Sequence, residues 1–409
     1  MLDSTLNTLF STFNNKNIDY CLVRDFQDIN SLNNSDDIDI MIRSSDSLRA
    51  INLLEELGWL TPTINPNTFG HIQYYKAHCK KVYKLDILND LYFADGKYRF
   101  RFENEDILFT EYNNIRVPTD EYALLFLLLH ILLDKNFISN KNANQLEELV
   151  SKSQLSNSWW YILAKGIVDT HDYKLKLKDK YLNEIERSGC VEKRDNSLWK
   201  LKRRLLGYIW SYKKEKNRFA LLGVDGTGKS STIGILKEYY DKDVFIQYMG
   251  FRSYTTKFAK KWAGYSAPRI YIPGFNLCLQ QTSCYYEMLN RYYSAKKSQK
   301  KILLFDRYPW EAYDNARNMF VKMLSGLLFK VLFPKPDHII YLYCPTNVSL
   351  ERKNDIDDID GFVKMKGHID SVYMNKSSAL VLDTSIDDQE TVVDKVITYI
   401  CVCTQGYVR

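Results

Sequence analysis

Residues 219–232 constrain what this chain can fold into more than any other part of the sequence. An apolar run leads into Gly223, and Gly228, Lys229 and Ser230 follow at the spacing GxxxxGKS. Small residues let successive backbone N–H groups turn toward phosphate oxygens at a helix N-terminus, where the helix dipole favours anions. The stretch therefore predicts a strand, a phosphate-binding loop and a helix.

Each residue type in this loop has a chemical task when a triphosphate is the ligand. The Lys229 ammonium group is expected to reach the donor phosphates, and the Ser230 hydroxyl to bind Mg²⁺. The residues predicted to surround the phosphates are Gly223, Asp225, Gly226, Thr227, Gly228, Lys229, Ser230 and Ser231.

Chain length and charge divide the sequence into two parts. At 409 residues, the chain is long for one hydrophobic core, so two domains and a connector are expected. Residues 1–150 carry 14 Lys and Arg against 22 Asp and Glu, whereas the remainder carries 42 against 28. Anionic ligands are therefore expected in the second part.

The sequence indicates a cytoplasmic protein without a membrane-spanning segment. Its eight cysteines form neither a CxxC pair nor a Cys/His metal spacing, which is typical of reduced thiols. A signal peptide has a basic region followed by an apolar run, and the N-terminus of this sequence lacks both. The apolar residues 123–133 are too few to cross a bilayer and are predicted to form a buried helix.

Beyond the loop, helical and strand patterns alternate, as a parallel α/β sheet flanked by helices requires. The apolar strand at residues 301–306 ends in Asp306, and Arg307 follows it. An acid at the end of such a strand orients the Mg²⁺ shell in P-loop enzymes.

Several ordered motifs in residues 217–402 together resemble the thymidylate kinase family of P-loop nucleoside monophosphate kinases. After the loop come Asp306-Arg307-Tyr308, then Ala312-Tyr313, and then residues 350–353, which resemble the entry to that family's mobile lid. The resemblance implies ATP and Mg²⁺ as cofactors, a nucleoside monophosphate or another small molecule as acceptor, and a homodimer.

The resemblance and the chemistry together assign roles to individual side chains. The predicted catalytic residues are Lys229, Asp306, Arg307 and Arg352, with Ser230 and Asp306 holding Mg²⁺. The predicted acceptor-binding residues are Asp225, Phe251, Arg252, Arg291 and Tyr313. The alternatives are that the two acceptor-side arginines are surface residues and that the aromatic side chains belong to the core.

Two departures from the family bear on the acceptor. The region of Arg252 lacks the Arg-Glu-Pro-Gly-Gly string typical of thymidylate kinases. Residues 354–360, after Arg352, are acidic where related chains carry lid arginines, so Lys364 or Lys366 would have to supply the missing charge. An unusual acceptor is therefore a second interpretation.

The first part of the chain carries acidic strands. Alternation in residues 37–42 places Asp37 and Asp39 on one face, and Asp86 lies in another strand. Three such carboxylates can hold two divalent ions on a nucleoside triphosphate.

This arrangement resembles the DNA polymerase beta-type nucleotidyltransferase superfamily, with an α+β fold. Leu57-Gly58-Trp59 and residues 117–122 also match. Where the superfamily has a Gly-Gly or Gly-Ser pair, this chain has Arg24-Asp25. Two hypotheses remain, an active nucleotidyltransferase with metal ligands Asp37, Asp39 and Asp86, or a degenerate module that recruits a substrate.

The predicted domains are a nucleotidyltransferase-like domain at 1–150, a helical basic connector at 151–216 and a thymidylate kinase-like domain at 217–409. Residues 198–214 have the pattern of a basic amphipathic helix. Such a helix packs against a neighbouring domain, lies on an anionic membrane surface, or contacts nucleic acid.

Three functions remain open from the sequence. The first is an ATP- and Mg²⁺-dependent kinase of a nucleoside monophosphate. The second is a kinase of a sugar or surface glycan. The third is a nucleotide-binding regulatory or interaction module.

Overall fold

The computed structural model describes residues 3–23, 37–62, 71–94, 96–101, 109–135, 137–153, 158–195, 197–198, 200–201, 205, 217–251, 253–263, 268, 274–312, 319–353, 358–376 and 378–404. The chain divides into two compact units, one within residues 1–213 and the other within residues 214–408.

The first unit is a mixture of short strands and helices. Its strands are β1 (Tyr20–Leu22), β2 (Asp37–Ile42), β3 (His71–His78), β4 (Lys81–Leu88), β5 (Asp90–Phe93), β6 (Tyr98–Arg101), β7 (Phe109–Tyr112), β8 (Ile115–Pro118) and β9 (Glu192–Lys193). Its helices are α1 (Ser4–Asn15), α2 (Ser47–Glu56), α3 (Asp120–Asp134), α4 (Asn140–Lys152), α5 (Trp159–Thr170) and α6 (Lys178–Ser188).

A four-stranded sheet of order β1-β2-β4-β3 lies in the first unit. β2 runs parallel to β4, and β1 and β3 run antiparallel to their neighbours. Alternation along β2 buries Ile38 and Ile40 and leaves Asp37 exposed, as the sequence predicts. Helix α1 packs Leu9 and Phe13 into the same core.

Helix α3 is the centre of a second core. It buries ten of its 15 residues, which confirms the buried helix predicted for residues 123–133. A helix that is apolar on every side needs neighbours on every side, and α4, α5 and α6 supply them. Helices α5 and α6 bury Ile167 and Ile185 in this core although they lie in the predicted connector. Packing of the first unit therefore continues past residue 150.

The second unit alternates strands and helices. Its strands are β10 (Arg218–Leu222), β11 (Val244–Tyr248), β12 (Ile302–Asp306), β13 (His338–Tyr343) and β14 (Ala379–Asp383). Its helices are α7 (Lys229–Tyr240), α8 (Lys257–Trp262), α9 (Phe275–Lys297), α10 (Met319–Ser325), which continues into a π-helix (Gly326–Leu332), α11 (Thr346–Arg352), α12 (Ile359–Tyr373) and α13 (Gln389–Thr404).

Five strands in the described part of the second unit form a sheet of order β11-β12-β10-β13-β14. All neighbouring strands run parallel, as the alternating pattern predicts. Because the carboxyl ends of parallel strands meet at one edge of a sheet, the loop after β10 lies beside the end of β12. At the opposite edge the Arg218 guanidinium donates to both carboxylate oxygens of Asp337, at 2.8 Å from Nε and 2.6 Å from Nη2.

The described part of the chain contains no helix that is both long enough and apolar enough to cross a membrane. Most of the predicted basic helix at 198–214 lies outside the described residues. Of its predicted apolar face, Leu198, Leu201 and Leu205 are described and all three are exposed.

Replacing Leu128 with Ala tests the packing around α3. The Leu128 side chain is 0% exposed, so Leu128→Ala is expected to lower the free energy of unfolding by about 2–5 kcal/mol. Urea unfolding followed by tryptophan fluorescence measures the change. Leu48→Ala is the matched control because Leu48 is 70% exposed, and we expect a change within about 0.5 kcal/mol. Equal losses in the two variants would contradict the assignment of α3 as the centre of this core.

Candidate active site

The loop between β10 and α7 is built on glycines whose backbone no other residue could adopt without strain. Gly223 has φ +147° and Gly226 has φ +86°. A Cβ added at Gly223 would lie 2.5 Å from the Leu342 carbonyl oxygen, and one at Gly226 would lie 2.6 Å from the Ser349 carbonyl oxygen. Packing against neighbouring backbone therefore requires glycine at both positions.

Lys229 is the first residue of α7, and its side chain turns back into the loop. Its buried Nζ donates to the Val224 carbonyl oxygen at 2.6 Å. The buried Thr227 hydroxyl donates to the same oxygen at 2.8 Å. The ammonium group is thus held inside the curve of the loop, at the positive end of the helix dipole. Ser230 and Ser231 follow it in the first turn, and both are exposed.

Asp306 ends β12 and lies directly beside the loop. The strand register places it opposite Leu221 of β10, and the backbone N–H of Arg307 donates to the Leu221 carbonyl oxygen at 3.0 Å. Burial raises the pKa of the Asp306 carboxyl, the charges of Lys229 and Arg307 lower it, and the charge of Asp225 raises it, with a net upward shift. A desolvated carboxylate is a favourable ligand for a hard divalent cation.

The described residues fit Mg²⁺ at this position. Ser230 offers an exposed hydroxyl, and Asp306 offers a carboxylate on the neighbouring strand end. Oxygen donors of this kind are those that Mg²⁺ prefers.

Asp225 connects the loop to two cationic side chains. One of its oxygens accepts from Arg307 Nη2, and the other lies 3.5 Å from Lys353 Nζ. Arg307 has φ +67°, a conformation that is uncommon for residues other than glycine. Such local strain is concentrated at functional sites, so Arg307 is a candidate for a direct role. Lys353 was not singled out from the sequence, although its position next to Arg352 at the lid entry was the available signal.

A cavity of about 320 Å³ opens between α7 and the segment after β14. Its lining includes Thr227, Ser231, Arg352 and Thr384. Arg352 donates to the Thr384 carbonyl oxygen at 2.8 Å and to its hydroxyl at 3.2 Å. The structure thus places Arg352 in a wall of this cavity, next to the loop.

Arg291 has a different environment from the one predicted for an acceptor-phosphate ligand. It is 4% exposed on α9, and its Nε donates to Glu287 at 2.9 Å. Its Nη1 donates to the carbonyl oxygens of Tyr248 and Gly250 at 3.1 and 3.0 Å, and its Nη2 donates to that of Ser253. Because its N–H groups donate to these protein acceptors, the guanidinium group holds the backbone at the end of β11 and after it.

Glu287 completes this clamp from the other side. Its oxygens accept from the backbone N–H groups of Thr255 and Thr256, at 2.7 and 2.8 Å, and from the Thr255 hydroxyl. Burial raises the pKa of the Glu287 carboxyl, but the hydrogen bonds from Thr256 and Thr255 outweigh burial and hold the pKa at about 2. The Glu287–Arg291 pair thereby holds the N–H groups of two residues and the carbonyl groups of three others in the segment after β11 and at its end.

The other predicted acceptor residues are placed only in part. Phe251 is half-buried and packs edge-on against Phe329, with ring centroids 5.6 Å apart. This contact agrees with the core alternative and leaves the stacking role a prediction. Arg252 and Tyr313 lie outside the described residues.

The predicted lid lysines also differ from each other. Lys366 is buried, pairs with Asp370 at 2.5 Å, and lies over the Tyr343 ring at 4.4 Å. This lysine therefore packs α12 against β13. Lys364 is exposed on the same helix.

In the first unit, the three predicted metal-binding acids lie on adjacent parallel strands. The register pairs Asp39 with Asp86, and Asp37 with Lys84. Lys84 Nζ lies 2.6 Å from an Asp37 oxygen and 3.6 Å from an Asp86 oxygen. The two acidic strands are adjacent, and Lys84, which was not predicted to belong to this group, lies between the carboxylates. Among the described residues, no group of three or more His, Cys, Asp or Glu is arranged to hold a metal ion.

Replacing Gly226 with Ala tests the close approach of the loop to α11. The added Cβ would meet the Ser349 backbone, so Gly226→Ala is expected to lower the melting temperature and to weaken the ATP binding predicted from the sequence at least about tenfold. Calorimetric titration with ATP and thermal unfolding measure both effects. Gly234→Ala on α7 is the matched control because nothing lies within 4 Å of its Cβ, and alanine is the better helix former. Unchanged ATP affinity in Gly226→Ala would contradict this account of the loop.

The clamp predicts a pH-dependent stability difference. Because the pKa of Glu287 falls from 4.5 to about 2 on folding, ionised Glu287 contributes about 3 kcal/mol above pH 5, and this contribution is lost as the pH falls toward 2. Glu287→Gln should therefore reduce the free energy of unfolding at pH 7 and should differ less than half as much from the parent at pH 3. Urea unfolding at both pH values measures the difference. Glu238→Gln, at an exposed position on α7, should change neither value.

The thymidylate kinase family model matches residues 222–394, which is less than half of the chain. No curated protein matches the sequence. Two structures of deoxyadenosine kinase from M. mycoides, one with the products dCMP and a flexible dCDP and one with bound dATP, are 13% identical to the chain. They cover 44% of it and 97% and 98% of the kinase chains, with TM-scores of 0.32 and 0.33. Likeness at this level carries no conclusion about function. The family match and the glycine loop on a parallel sheet support a P-loop kinase-like domain in the second unit, and with it a phosphotransferase at the coarse level.

Proposed function

We propose that the second unit transfers a phosphoryl group from ATP to a small acceptor in an Mg²⁺-dependent reaction. The observation that carries the proposal is the position of Lys229, which is buried inside a glycine loop at a helix N-terminus, beside the strand-end carboxylate of Asp306. Phosphoryl transfer depends on positioning and on charge neutralisation rather than on covalent help from the protein. These residues supply both.

On the donor side, Lys229 is placed to exchange its hydrogen bond to Val224 for one to a phosphate oxygen. The backbone N–H groups of the loop and the start of α7 add positive potential. Bound Mg²⁺, held by Ser230 and Asp306, would neutralise phosphate charge. The cavity beside Arg352 and Thr384 adjoins the loop and is the candidate space for the rest of the nucleotide.

Between donor and acceptor, Asp225 holds Arg307 and Lys353. A planar guanidinium group can bridge two phosphate oxygens, so Arg307 is suited to the charge that develops on the transferred group. Lys353 adds a second positive charge close by. A carboxylate oxygen of Asp225 can also accept a hydrogen bond from an acceptor hydroxyl.

A nucleoside monophosphate is the first acceptor class, on the family match at residues 222–394. A sugar or glycan hydroxyl is the second, and one observation favours it. Arg291 was predicted to bind an acceptor phosphate, but its N–H groups donate to Glu287 and to backbone carbonyl groups. An acceptor without a phosphate would not need that arginine.

ADP release with a panel of acceptors tests the proposal. Purified full-length protein with ATP and Mg²⁺ should release ADP faster when one acceptor class is added. Lys229→Ala should reduce this rate at least about 100-fold, because it removes the cation that contacts the transferred charge. Lys237→Ala, exposed near the end of the same helix, should leave the rate unchanged.

The panel separates the competing functions. Faster turnover of dTMP than of other monophosphates would support a thymidylate-like kinase, and preference for a sugar would support the second class. A parent protein that binds ATP but is inert toward every acceptor would favour the nucleotide-binding module and contradict the proposal.

A further inference from the structure

The parallel pairing of β2 with β4 brings one lysine and three carboxylates to the same face of the first sheet. Side chains alternate along each strand, so Asp37 and Asp39 share a face, as do Lys84 and Asp86. The contact between Lys84 Nζ and Asp37, at 2.6 Å, shows that both pairs lie on the same face.

Lys84 is an unusual residue to find in this position. Its side chain is only 9% exposed, and lysines are rarely buried without a partner. Asp86 is similarly buried, at 11%, and lies 3.6 Å from the ammonium nitrogen. A buried ammonium group between two carboxylates is a paired charge, as burial demands.

The resemblance to nucleotidyltransferases implies divalent ions on these same acids, and the geometry does not fit them. A divalent ion bound by Asp37 and Asp86 would lie next to the Lys84 ammonium, and like charges a few ångström apart repel strongly near a protein surface. The lysine also neutralises one of the carboxylate charges that would attract a metal.

We propose that the Lys84 ammonium group is the permanent counter-ion of the carboxylates on this face. It supplies the positive charge that the resemblance assigns to divalent ions. The face formed by Asp37, Asp39, Lys84 and Asp86 therefore does not bind Mg²⁺ or Mn²⁺. Nucleotidyl transfer that depends on two metal ions does not occur there. This inference does not depend on the kinase function proposed for the second unit.

Direct metal binding tests the inference without an activity assay. Full-length protein carrying Asp306→Asn, which removes the predicted metal ligand of the second unit, is titrated with Mn²⁺ in the absence of nucleotide. Bound Mn²⁺ is measured by electron paramagnetic resonance. We expect that adding Asp37→Asn to this protein does not change its Mn²⁺ binding.

Replacing the lysine should create the site that its charge excludes. Lys84→Met in the same background should bind one additional Mn²⁺, because the repulsive charge is gone and the carboxylates remain. The affinity of this face for Mn²⁺ should rise at least about tenfold above that of the protein with intact Lys84. Asp37→Asn should abolish this gain. Lys81→Met is the matched control on the same strand, and Lys84→Arg keeps the charge, so neither should bind additional metal.

Two results would overturn the inference. The first is Mn²⁺ binding by the protein with intact Lys84 that Asp37→Asn weakens. The second is a folded Lys84→Met protein that gains no Mn²⁺ binding. Circular dichroism establishes whether Lys84→Met is folded. If it is not, Lys84→Gln replaces it, and the comparison made with Lys84 intact still decides the question.

Discussion

The parallel pairing of β10 with β12 is the constraint on which the candidate active site depends. It places Leu221 opposite Asp306, and the Arg307 N–H group closes onto the Leu221 carbonyl oxygen. A displacement of one residue between these strands would turn the Asp306 side chain to the other face of the sheet, because side chains alternate along a strand. The loop residues, the strand-end acid and the two cations around Asp225 therefore form one site only in this register.

Buried charged groups outside the loop hold the surrounding backbone in position. Glu287 and Arg291 bind five backbone groups between Tyr248 and Thr256, on the side where an acceptor is expected. Breaking a buried ion pair leaves an uncompensated charge, so each partner requires the other. Lys84 in the first unit is likewise a buried charge that requires partners of opposite charge. Its partners are acids that were predicted to bind metal.

Much of the fold follows from local patterns. The strands at 37–42 and 302–306 and the buried helix around residues 123–133 lie where the apolar patterns place them, because burial of an apolar face dominates local structure. The boundary at residue 150 was harder to predict. Helices α5 and α6 have ordinary amphipathic patterns, and only their contacts with α3 place them in the first unit. The predicted boundary at residue 150 therefore lies inside this packing.

The sequence by itself determined the phosphate loop, the strand-end Asp306 and Arg307, and the alternation of strands and helices, because these depend on residue type and short spacing. Only the tertiary structure decided how the charged side chains pair. Lys353 reaches Asp225, and Arg291 is committed to Glu287 and to backbone carbonyl groups. Lys84 lies between Asp37 and Asp86. The physical reason is that a charge is neutralised by its neighbours in space, and those neighbours lie on other strands and helices, at sequence separations that no local pattern records.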